Sequence, residues 1–167
     1  MNKIITILIT FLALNTHLYA DNMEMTDTDG KSYQVEGTKD TLKIEGMEGK
    51  VVFMEFFGLS CPACRQEMPH LINLQDKYPQ KVKVLAVEVQ NNDIDPINAY
   101  KKEHGINYTT FSNYDMGFIV RFIADKSSWD GKIPFMVAID TQGNVQFTQA
   151  GLISETELEE YVEKFSR

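Results

Sequence analysis

The chain holds two cysteines, and only two residues part them: Cys61-Pro62-Ala63-Cys64. Thiols at this spacing can close into a disulfide and reopen, and a thiolate there can attack another disulfide through a mixed-disulfide intermediate. A purely structural bond is a poor alternative, because closing so short a loop removes little unfolded-state entropy. Zinc is a poor alternative too, since one Cys-x-x-Cys supplies two of four ligands. Soft thiolates select Cu(I), so a copper-binding chaperone is the rival from a non-enzyme class. That role wants a convergent His or Met cluster, which the spacing does not supply, and the eight methionines read as core filler. Copper titration of the reduced protein would separate the two readings. No metal is expected, and no cofactor beyond a redox-active Cys61–Cys64 disulfide.

The elements around the pair would position it. An apolar run at 51–57, Val-Val-Phe-Met-Glu-Phe-Phe, reads as a strand buried on both faces. Pro62 fits the first turn of a helix, where its missing N–H costs nothing. That helix is expected to reach Tyr78, with Met68, Leu71, Ile72 and Leu74 on its apolar face and a kink at Pro69. A sulfur at its start meets free N–H groups and the positive end of the helix dipole, which favours thiolate. Glu55 stands alone among apolar strand residues, and a buried carboxylate is costly unless paired or neutral; its bland reading is a half-exposed strand residue. Glu67 lies on the helix just past Cys64. His70 and His104 read as surface helix residues rather than ligands.

Further elements follow in order. Residues 21–30 are polar and expected to be flexible. Segments 30–35 and 41–44 look like short strands in a turn-rich entry region. A strand is expected over 81–89, a helix from Asp95-Pro96 to His104-Gly105, a short strand at 108–112, and a helix capped by Asp115 through Ala124. Residues 125–132, which carry the only tryptophan, Trp129, read as a polar loop. Strands at 134–139 and 145–149 flank the turn Thr141-Gln142-Gly143-Asn144. Ser154 and Glu157 have capping-box spacing for a last helix through Phe165. Early strand–helix alternation implies parallel strands, and the late hairpin adds an antiparallel pair. The fold class is α/β: a mixed central sheet with helices on both faces and a short N-terminal strand extension.

Residues 1–20 read as a secretory signal peptide. Lys3 gives a positive start, an apolar stretch runs from Ile4 to Leu14, and Leu18-Tyr19-Ala20 ends in a small residue before Asp21. The apolar stretch falls short of the ~20 residues of a membrane helix; an uncleaved membrane anchor is the rival. This leaves 21–167 as one domain, long enough to bury about two thirds of its unfolded surface without a disulfide staple. The formal charge is −8, with acids spread along the chain. No Lys/Arg stripe suggests nucleic acid, whose binding is dominated by phosphate contacts. The acidity speaks for solubility and names no partner.

The element order and the segment Phe56-Phe57-Gly58-Leu59-Ser60-Cys61-Pro62-Ala63-Cys64-Arg65-Gln66-Glu67-Met68-Pro69-His70-Leu71 resemble the TlpA/ResA-like branch of the thioredoxin-like superfamily. The resemblance spans about residues 27–165. It implies a thioredoxin-like fold and an exported thiol–disulfide oxidoreductase in the periplasm. Cys61 would be the nucleophile and Cys64 the resolving thiol. Ile133-Pro134 would be the cis peptide lying against the dithiol, where an extended substrate could bond. Glu55 would be the buried acid beneath the cysteines, moving the proton of Cys64. Glu67 would be a second proton relay or simply a solvated helix residue, and Trp129 a substrate contact or a loop anchor. A reductase is expected rather than an oxidase, because the resemblance is to the reducing branch. It would be a monomer, kept reduced by a membrane thiol–disulfide reductant, and would act on exported protein thiols such as apo-cytochrome c. A DsbA-like oxidase is the alternative within the enzyme class, although the chain has no room for a large helical insertion. Two departures bear on substrate preference: Ser60 stands where many relatives have Trp, and the approach to Pro134 is long.

Overall fold

The computed structural model describes residues 21–166, so the leader expected over 1–20 lies outside the described residues. The elements run β1 (Asp21–Thr26), β2 (Ser32–Gly37), β3 (Leu42–Ile44), β4 (Val51–Phe57), α1 (Pro62–Lys77), β5 (Val82–Glu88), α2 (Ile94–His104), β6 (Thr109–Ser112), α3 (Asn113–Ser127), β7 (Phe135–Ile139), β8 (Val145–Ala150) and α4 (Glu155–Phe165). A five-stranded sheet has the order β6-β5-β4-β7-β8, and β1-β2-β3 form a separate antiparallel sheet. In the larger sheet β4 pairs parallel with β5 and antiparallel with β7, and β5 pairs parallel with β6. This is the expected thioredoxin-like arrangement of a mixed sheet covered on both faces.

Alternation along β4 sorts its side chains between two cores. Val51, Phe53 and Phe57 join the core under α1 and α4, with Leu71, Leu74, Leu158 and Val162. Val52, Met54 and Phe56 join the opposite core, filled by Met116, Ile119 and Ile123 of α3 and by Met25, Val35 and Ile44 of the small sheet. Glu55 shares the parity of Phe53 and Phe57. The period-two rule therefore delivers its carboxyl to the α1 side.

Three expectations are corrected. Residues 21–26 form a paired strand rather than a flexible lead-in, because Met23 and Met25 alternate inward and cover the second core. Asp27 is also buried, where it accepts the Tyr33 hydroxyl at 2.9 Å. The α3 cap is Ser112, whose Oγ accepts Tyr114 N–H at 3.3 Å, not Asp115. The helix then continues past Ala124 to Ser127, so the irregular approach to Pro134 begins only at Ser128. α1 continues through Pro69, and α4 carries the expected capping box between Ser154 and Glu157. Among the described residues no helix is long and apolar enough to cross a membrane.

Candidate active site

The strand β4 ends at Phe57, the chain turns through Gly58 to Ser60, and α1 begins. Cys61 is its N-cap residue, in extended conformation, and Pro62 occupies the first turn. Cys61 Sγ accepts the Cys64 N–H at 3.1 Å. That is the bond an N-cap oxygen would make, taken here by sulfur. A disulfide joins Cys61 to Cys64 across a Cα–Cα distance of 5.3 Å. Cys61 is 7 % exposed and Cys64 2 %, so the first sulfur is the one nearer solvent.

Two buried acids share the α1 side of the sheet with the pair. Helical spacing puts Glu67 one turn past Cys64 on the same face, and it is fully buried, as is Glu55. The solvated-helix reading of Glu67 and the half-exposed reading of Glu55 are therefore excluded. Glu67 Oε1 accepts Ile153 N–H at 2.7 Å. The other oxygen of Glu67, Oε2, and Oε1 of Glu55 are buried without a hydrogen-bond partner. Each carboxyl shifts the other, and a proton kept on the pair lowers the cost of burying these orphan oxygens. Burial pushes the Glu55 carboxyl well above the usual range, and the charge and hydrogen bond of Glu67 push it the same way. Burial raises Glu67 as well, against the Ile153 N–H, Glu55 and the charge of His70, which pull it back. Like charges in a dry site cannot both ionise cheaply, so the pair keeps a proton where an exposed pair would have none.

His70 is half-buried, not a free surface residue: its Nδ1 and the Ile153 carbonyl lie 3.1 Å apart. A carbonyl only accepts, so the imidazole carries its hydrogen on Nδ1. Tyr108, which drew no notice in the sequence, completes the surroundings. Burial holds its hydroxyl well above the ordinary tyrosine range, and Glu55, Tyr100 and Glu67 add to that. It stays a hydroxyl.

The Ile133-Pro134 peptide is cis. Ile133 packs against the core cluster that contains both cysteines, and Pro134 O accepts Gly151 N–H at 2.8 Å. Trp129 stacks on Phe56 and Phe135, with ring centroids 4.9 and 5.2 Å away, and its Nε1–H donates to Lys132 O. It anchors the approach to Pro134 on the α3 side of the sheet. Among the described residues no three His, Cys, Asp or Glu side chains come together as metal ligands.

The AhpC/TSA family model matches residues 19–148, most of the chain and all of the dithiol surroundings up to β8. The chain belongs to the AhpC/TSA family. Among curated relatives it is similar to thiol-disulfide oxidoreductase ResA of Bacillus thuringiensis subsp. konkukian, 29 % identical over 154 residues, covering 88 % of this chain and 76 % of that one. ResA of Bacillus subtilis is 26 % identical, with 86 % and 72 % covered. Among solved structures, a thiol:disulfide interchange protein of the thioredoxin family from Chlorobium tepidum superposes with a TM-score of 0.67 at 23 % identity, over 89 % of this chain and 95 % of that one, and so shares the fold. An AhpC/TSA-family chain with a vicinal dithiol at a helix N-terminus is a thiol–disulfide oxidoreductase of the ResA/DsbE type.

The acid pair has a measurable consequence for stability. Glu67 binds its proton more tightly folded than unfolded, so its contribution is complete below the ordinary value of 4.5 and is lost as pH rises through about 7, and Glu55 is raised in the same direction. The melting temperature is expected to fall across that interval, and Glu67→Gln, which removes one of the two titrations, should flatten the fall. Calorimetry at a series of pH values checks this; a melting temperature that climbs over the same interval contradicts it.

Proposed function

We propose that this oxidoreductase works outside the cytoplasm as a reductant, passing two electrons from a membrane dithiol partner to disulfides in exported proteins, apo-cytochrome c among them. The leader-like residues 1–20 support the location. The observation that carries the direction is the carboxyl pair under the dithiol. Strong oxidants of this chemistry are oxidising because their reduced, thiolate form is stabilised. Here the N-cap position of Cys61 favours thiolate, but two buried acids work against any further negative charge beneath it. That balance leaves the reduced dithiol less stabilised and the disulfide a poorer oxidant.

The reaction balances as follows. Cys61 thiolate attacks one sulfur of the substrate disulfide; the other leaves as thiolate and takes a proton from solvent. Cys64 gives up its proton, for which the Glu55–Glu67 pair is the adjacent acceptor, and its sulfur attacks Cys61 Sγ. The second substrate thiol departs with a proton, and the Cys61–Cys64 disulfide is left. Two electrons have passed to the substrate, and the membrane partner's dithiol restores them. Glu55 and Glu67 serve as the proton store, Ile133 and Pro134 frame the surface that meets the substrate, and Trp129 holds the loop that carries them.

The test is the reduction potential of the dithiol against a glutathione couple. A value near about −270 mV is expected, and one near about −120 mV would make the protein an oxidase instead.

A further inference from the structure

The turn that leads into Cys61 is held from a neighbouring strand end. Gly58 O accepts Cys61 N–H at 3.1 Å, which closes the turn. Ser60 N–H needs another acceptor, and it donates to the side-chain oxygen Oε1 of Gln90 at 3.0 Å. The Gln90 side chain lies flat over Gly58: a Cβ added there would collide with Cγ, Cδ and Oε1 of the glutamine. Glycine at 58 is what lets Gln90 reach the turn.

Gln90 is itself exposed, yet its loop is fixed on every side. Glu88, the last residue of β5, is fully buried. Its carboxylate accepts Gln90 N–H at 3.0 Å, Asn92 N–H at 2.9 Å and the Asn92 side-chain amide at 2.9 Å. A carboxylate is buried at tolerable cost only when bonded in this way. Asn91 sits between them with φ +62°, in the left-handed region that Asn tolerates. Its Oδ1 accepts the Asn113 side-chain amide at 2.7 Å, and Ser112 Oγ donates to Asn92 O at 3.1 Å. Val89 N–H donates to Phe57 O at 2.9 Å, tying the loop to the end of β4. So many bonds on one short segment deliver one side chain to the residue before the first cysteine.

We propose that Gln90 is a positioning residue for Cys61, and that Glu88 is the anchor of the loop that delivers it. The inference rests on Cys61 being the nucleophile. Helix N-terminal N–H groups stabilise a thiolate only while the sulfur stays over them. Reduction of the disulfide removes the covalent tie from Cys61 to Cys64. The Ser60–Gln90 bond outlasts that change and keeps the turn, and with it the Cys61 sulfur, in register with the helix. The amide is neutral, so it holds the turn without placing charge beside the thiolate.

The experiment follows alkylation of Cys61 by iodoacetamide against pH in the reduced protein, located by mass spectrometry, for the unsubstituted chain, Gln90→Ala and Gln90→Glu. Exposure of residue 90 lets both variants fold, and the second keeps an acceptor for Ser60. Gln90→Ala should move the midpoint of the rate profile up by about half a pH unit, a roughly threefold slower reaction below the midpoint. Gln90→Glu keeps the bond and adds a negative charge, so its midpoint should rise further, by about one unit. A residue that only braces the loop would lower the melting temperature and leave the Gln90→Ala midpoint in place, whatever the added charge of Gln90→Glu does, and that result overturns the proposal. If Cys61 of the unsubstituted protein titrates as an ordinary thiol near about 8.5, the nucleophile reading fails and this inference falls with it. A low midpoint there, unmoved by Gln90→Ala, defeats this inference alone.

Discussion

Cys61→Ser should lose disulfide-exchange activity by roughly 10³-fold or more while keeping its fold. A serine hydroxyl can take over the N-cap bond that Sγ makes with Cys64 N–H, so α1 has no reason to unravel. It cannot take over the chemistry, because an alcohol near neutral pH is not an anion and does not form a mixed disulfide. The check is insulin reduction by the reduced variant beside a far-UV circular dichroism spectrum. Retained turnover with a native spectrum would remove Cys61 as the nucleophile.

Cys64→Ala should do something different: it should trap covalent complexes. Cys64 is one helical turn from Cys61 and more deeply buried. Its attack on the mixed disulfide is therefore intramolecular, and well-oriented intramolecular reactions proceed at effective concentrations of about 10⁵ M or more. Without it, resolution falls to external thiols at far lower concentration. Mixed disulfides between Cys61 and substrate should then accumulate on non-reducing gels and disappear with reductant. If no such species forms when a disulfide-bonded protein is mixed with the reduced variant, Cys64 is not the resolving thiol.

Local chemistry explains which parts of this site could be read from the sequence. Glu55 was visible because a lone acid in an apolar strand is an anomaly, and two-residue alternation assigns it a side. Glu67 was half visible. Its spacing from Cys64 places both on one helix face, but a buried helical acid and a solvated one look the same until the packing of Ile153 against it is known. Glu88 carries a related signature, an acid closing the apolar strand β5 where Glu55 interrupts β4, and is detectable on that ground. Gln90 is not: its bond to Ser60 spans thirty positions and depends on the register of β4 beside β5.

The misjudged elements have equally local causes. In β1 the alternation of Met23 and Met25 is only two residues deep and follows Asp21-Asn22, and pairing with β2 is what makes that short pattern a strand. Ser112 and Asp115 are both good N-cap residues; Ser112 prevails because β6 ends there and its Oγ stands by Tyr114 N–H. Cys61-Pro62-Ala63-Cys64, by contrast, was legible in full, because the strand end, the helix-starting proline and the thiol spacing are all local.

The central claim is that the Cys61 sulfur is an accessible, acidified thiol. The unsubstituted arm of the alkylation experiment tests it most directly. A midpoint near about 7 or below, with Cys61 modified well before Cys64, is the predicted result. A midpoint near about 8.5 with both thiols reacting at the same rate would contradict it.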